Sequence, residues 1–130
     1  MSATDYAHTL ILMASKDLKA LRNMTDPVLF DDEIFGFHAQ QTVEKLLKAW
    51  ISSLGETFPL THDIRYLLLT LSKLGCEIDA LKNLITLNVY AVQFRYEPTL
   101  EISEVIDRTN LLIEIEKAFK LGSDEINNQR

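Results

Sequence analysis

The sequence has little that punctuates or cross-links a chain. Its 130 residues include one cysteine, three prolines and four glycines. A single cysteine excludes an internal disulfide and a cysteine-based zinc knuckle. Scarce proline and glycine leave room for long regular elements. No stretch approaches the roughly 18 apolar residues of a membrane span. The first residues lack a basic-then-apolar leader pattern, so the expectation is a cytoplasmic protein. Glycine-rich phosphate loops, H-E-x-x-H and a nucleophile elbow are all missing. His8, His38 and His62 are the only histidines and are too far apart to form a local metal motif. No catalytic centre and no metal site is therefore expected.

Positive charge is also in deficit. Nineteen acids face thirteen Lys and Arg, giving a formal net charge of −6. That balance argues against sequence-independent DNA binding. The acidity is uneven: residues 97–130 hold eight acids and four bases. An anion-binding surface is thus expected in the first three-quarters of the chain.

What is present is helical periodicity. Apolar residues recur at three- and four-residue spacing through most of the chain. A first helix is expected over Thr4–Asn23, with Ala7, Leu10, Ile11, Ala14, Leu18 and Leu21 facing inward. A second runs from about Asp31 to Leu54, with acids at its positive end and Gly55 as its stop. A third spans about Asp63–Leu74, stopped at Gly75, and a fourth about Ile78–Phe94. Arg95 to Thr99 reads as a loop, held extended before Pro98. The fifth helix spans about Leu100–Leu121, with Ile102, Val105, Ile106, Thr109, Leu112, Ile113 and Phe119 in register. Gly122 is expected to end it. The pattern gives one all-α domain over residues 1–122, an antiparallel up-and-down bundle of four to five helices, with a flexible tail at 123–130.

Three places could carry function. On the second helix His38, Gln41, Lys45 and Lys48 fall within roughly 80° of one another. Two ammonium groups, an imidazole and an amide could receive a phosphate. The plain alternative is a solvated face, with Glu44–Lys48 as an ordinary i,i+4 pair. At the third helix start, His62 and Arg65 could add donors to free backbone N–H groups. The plain alternative is a cap by Thr61 or Asp63. Arg95-Tyr96 ends the fourth helix, where Arg95 and Tyr90 could face a groove as phosphate and base contacts; the plain alternative is a cation that suits the helix dipole.

These runs coincide with a known family. Phe37-His38-Ala39-Gln40-Gln41-Thr42-Val43-Glu44-Lys45-Leu46-Leu47-Lys48-Ala49 resembles the signature helix of HEPN domains. Pro59-Leu60-Thr61-His62-Asp63-Ile64-Arg65-Tyr66-Leu67-Leu68 resembles the family's next motif, and Arg95-Tyr96 its later arginine–tyrosine. The resemblance covers about residues 4–121. It implies a bundle like the C-terminal helical domain of kanamycin nucleotidyltransferase and frequent homodimerisation. It also implies a minimal nucleotidyltransferase as partner, often in toxin–antitoxin systems. The proposed nucleotide-binding role would fall to His38, Gln41, Lys45, Lys48, His62, Arg65, Arg95 and Tyr96. No cofactor beyond a bound nucleotide is expected. The alternatives are a structural dimerisation subunit without ligand, or a divergent RNA-cleaving toxin.

Two departures bear on activity. RNA-cleaving members carry Arg, four to six residues, then His. No arginine here meets that spacing. The family's Arg-Tyr-Pro reads Arg-Tyr-Glu-Pro at residues 95–98, which sets Glu97 beside that anion position. Purified protein incubated with single-stranded RNA in chelator should therefore leave it intact on a denaturing gel. Cleavage that disappears in His62→Ala would contradict this reading.

Overall fold

Five helical elements, four α and one 3-10, account for most of the chain in the computed structural model, which describes residues 3–91 and 105–129. Helix α1 is Ala3–Arg22, α2 is Asp32–Ser53 and α3 is Ile64–Lys73. A 3-10 helix follows over Asp79–Asn88, and α4 spans Arg108–Asn127. No strand occurs among the described residues. The architecture is an all-α helical bundle.

The first three helices lie where the spacing places them. Helix α1 buries Ala7, Leu10, Ala14, Leu18 and Leu21, the expected stripe. Gly55 and Gly75 have φ of 82° and 91°, and each follows a helix end. Gly75 N–H bonds Ser72 O and Cys76 N–H bonds Leu71 O, closing α3. A residue with a Cβ is strained at such a φ, which is why glycine stops both helices.

Helix α2 is the axis of the fold. It packs against α1, α3, the 3-10 helix and α4. Thirteen of its residues are buried, from Phe35 to Ser52. A surface helix would bury one stripe; this one is covered on most sides. Trp50 is its largest fully buried side chain.

The fourth element departs from the expected α-helix. It buries Leu81, Leu84 and Leu87, with Ile78 just before it and Tyr90 just after it, in residues 89–91, which turn α-helical, each three positions after the last. A period of three makes a straight stripe only when there are three residues per turn, which is the 3-10 geometry. The expected residues 92–94 and the loop at Arg95 to Thr99 lie outside the described residues.

The last helix also differs. Residues 105–107 are not helical, and α4 continues through Gly122 to Asn127. Ile126 is buried, so the segment expected to fray is helical as far as Asn127. Its inner face is Arg108, Ile115, Ala118, Gly122 and Ile126. Val105 and Ile113, expected inside, are exposed. Gly122 serves close packing rather than termination: a Cβ there would stand 2.6 Å from Leu46 Cδ1. The small residues Ala118 and Gly122 thus let α4 approach α2.

Gly36 plays the same part on α2. A Cβ there would meet the Tyr90 ring at 2.5 Å. Tyr90 is buried and rigid, so the ring cannot give way as a flexible side-chain tip would. Gly36→Ala should therefore lower stability by about 1–3 kcal/mol despite alanine's better helix propensity. Urea unfolding followed by circular dichroism measures this. A stabilised variant would show that the Tyr90 contact is loose.

Candidate functional site

The connection between α2 and α3, residues 54–63, lies across the polar side of α2. Three contacts hold it. Phe58 stacks on Tyr6 of α1, with ring centroids 5.7 Å apart, and lies 5.5 Å from Lys48 Nζ. Gln40 Nε2 donates to His62 O at 3.1 Å. His62 Nδ1 lies 2.8 Å from Glu44 Oε1.

Glu44 is the centre of this arrangement. Its residue is 5% exposed, which is rare for a carboxylate unless its charge is met. Gln40 Nε2 donates to Oε1 at 3.1 Å, and Lys48 Nζ to Oε2 at 3.3 Å. The Lys48 side chain is 13% exposed, so the pair is buried rather than solvated. Gln41 Nε2 in turn donates to Gln40 Oε1 at 2.9 Å and orients that amide. An ionised carboxylate only accepts, so His62 Nδ1 carries the proton. Nε2 is then the ring's remaining nitrogen, on a side chain 53% exposed.

The residues named from sequence separate into groups. Lys48, His62 and Gln41 come together around Glu44 and Gln40. Lys45 turns to α1 instead and pairs with Asp17 at 2.6 Å, both side chains 22% exposed. The ring of His38 packs edge-on against Phe37. None of these four α2 residues is fully exposed, so the expected solvated face is half covered. Arg95 and Tyr96 lie outside the described residues.

At the start of α3 the capping alternative is realised. Asp63 Oδ1 accepts from Arg65 N–H at 2.9 Å, and Asn88 Oδ1 accepts from Ile64 N–H at 2.8 Å. Asn88 Nδ2 also donates to Asp63 Oδ1 at 2.7 Å. Two backbone donors that could greet an anion are thus already in use. The Arg65 side chain is exposed and forms no ion pair among the described residues. Helical spacing sets Arg65, Tyr66, Leu69 and Lys73 on one exposed stripe beside His62. Two cations and an exposed aromatic ring on an acidic protein form a local surface able to meet a phosphate and a flat ring.

Sequence reasoning missed two groups. Glu44 read as half of a surface pair, and Gln40 carried no role. Neither left a signal in the helical spacing: both lie where His62 of the 54–63 connection meets α2. Cys76 stays outside the site: burial, then the Glu125 charge, push its thiol above the ordinary range, against a smaller opposing effect of Trp50. No group of three or more metal-ligating side chains occurs among the described residues.

Both lysines are paired within the fold, so reversing their charge acts on stability. Lys48→Glu puts a second carboxylate against buried Glu44, and Lys45→Glu puts one against Asp17. The double variant should lose about 3 kcal/mol or more, because each change leaves a half-buried charge facing a like one. Its urea midpoint, followed by circular dichroism, reads this directly. An unchanged midpoint would mean that neither pair contributes to the fold.

Residues 7–121 match the family model of the HEPN domain. No curated protein and no solved structure matches the chain at a significant level. No helix among the described residues is long and apolar enough to cross a membrane. The matched span takes in most of α1, all of α2, α3 and the 3-10 helix and most of α4, and with them every residue of the Glu44 cluster. The chain belongs to the HEPN domain family.

Proposed function

We propose that this HEPN domain is a non-catalytic binding module that takes the phosphate of a nucleotide at the His62–Arg65 surface. The observation behind it is a division of labour among the cations. Lys45 and Lys48 are spent on Asp17 and Glu44 inside the bundle. His62, held through Nδ1 by Glu44, and Arg65, without an ion pair among the described residues, are the ones left exposed. Tyr66 beside them offers a ring face to a base. Gln41 supports the site through Gln40, and Lys48 through Glu44, rather than by touching the ligand.

His38, Arg95 and Tyr96 belong to this proposal through the family resemblance alone. Homodimerisation, and a minimal nucleotidyltransferase partner in a toxin–antitoxin setting, complete it on the same basis. The absent Arg-x4–6-His spacing supports a binding rather than a cleaving role. A purely structural subunit is the second reading. What favours it is that the two lysines of the signature helix are internally neutralised.

Calorimetry with nucleoside mono- and triphosphates and a short single-stranded RNA separates the two. The binding reading expects saturable binding of at least one of these. It also expects a loss of about tenfold or more in Arg65→Glu, the scale of one charge-assisted hydrogen bond. Arg65 is exposed and its side chain makes no hydrogen bond among the described residues, so stability should not change. No binding of any compound would leave the structural reading standing.

A further inference from the structure

We infer that the turn between α1 and α2 is a docking knob for a partner protein whose apolar contact surface is rimmed by lysine or arginine. Val28 is 88% and Leu29 is 73% exposed. Single exposed aliphatics are ordinary. Two in succession on a turn that is fixed in place are less so.

The fixing is explicit. Pro27 sets its own φ, Asp26 Oδ1 accepts from Val28 N–H at 2.8 Å, and Asp26 O accepts from Phe30 N–H at 3.1 Å. Arg108 then clasps both ends. Its Nη1 donates to Met24 O at 2.7 Å and its Nη2 to Phe30 O at 2.6 Å. Arg108 is itself buried, 5.0 Å from the Phe35 ring centroid. A turn held this way has lost its conformational freedom before a partner arrives, so binding need not meet that cost again.

Charge identifies the partner. From Asn23 to Phe37 the chain carries Asp26, Asp31, Asp32 and Glu33 and no lysine or arginine. Arg108, which reaches the turn, is buried and matched by Asp32 at 2.8 Å. Tyr90, whose hydroxyl is pushed up by burial and then by the Asp32 and Glu33 charges, registers the same negative field. A second copy of this chain would bring the same acids to the contact and be repelled at this turn. A cationic partner would be attracted, and its charge would select it over neutral apolar surfaces. This inference is independent of the His62–Arg65 reading.

Methyl-resolved NMR of the whole chain tests it with two synthetic helical peptides. One alternates leucine and lysine faces; the other has glutamate in place of lysine. The lysine peptide should shift the Val28 and Leu29 methyl resonances saturably, and the glutamate peptide should bind about tenfold more weakly or worse. Val28→Ser/Leu29→Ser should abolish binding of the lysine peptide, followed in that variant on the leucine methyls of the peptide itself. Asp31→Asn should weaken it, since the Asp31 side chain makes no capping bond and the change leaves the fold alone. Equal responses to both peptides, no response, or shifts centred away from residues 26–31 would overturn the inference. So would concentration-dependent shifts of these methyls without peptide, which would assign the turn to self-association.

Discussion

A carboxylate placed on the covered side of a central helix must have its charge answered, and Glu44 sets that condition for this protein. Removing a charge from water costs several kcal/mol unless partners replace the lost hydration. Lys48, Gln40 and His62 supply it from three positions on two elements. The consequence is geometric. The 54–63 connection must cross α2 where His62 can reach Glu44, and the same crossing seats Phe58 between Tyr6 and Lys48. The order of the exposed His62–Arg65 surface is therefore inherited from a buried group.

The connection on the other side of α2 follows the same logic with the sign reversed. There a buried guanidinium is the charge to be answered, and it takes the carbonyls of Met24 and Phe30 and the carboxylate of Asp32. Its Nε finds no partner among the described residues. The chain segments before and after α2 are thus each tied to the bundle by one buried ion. Between them lies a nearly all-apolar core, in which Gly36 and Gly122 set how closely Tyr90 and Leu46 are approached.

Much of the fold was legible because α1, α2 and α3 follow the ordinary helical period, and α2 and α3 stop at glycines. The fourth element was legible in type only by the spacing of Ile78, Leu81, Leu84, Leu87 and Tyr90, which is three throughout. Choosing Ile85 and Val89 instead makes it look α-helical. Gly122 misled because glycine serves both as a helix stop and as a close-packing residue, and the choice depends on a neighbour distant in sequence. Arg108 left one signal: a cation in the first turn of a helix opposes the dipole and needs another reason to be there. Glu44 and Lys48 are spaced like any surface pair. Their burial comes from the 54–63 connection, which periodicity does not reveal.

The signature residues of this HEPN domain therefore fall into inner and outer sets. Gln40, Glu44, Lys45 and Lys48 hold the bundle, and His62 joins them to the exposed Arg65 and Tyr66. The account stands on Glu44–Lys48 being a buried interaction and not a surface i,i+4 pair. A double-mutant cycle of Glu44→Gln and Lys48→Met, read by urea unfolding, measures the coupling directly. The account predicts a coupling above about 1 kcal/mol, within the range for groups sharing a buried network. A coupling of about 0.3–0.5 kcal/mol, the value of a solvated helix pair, would contradict it.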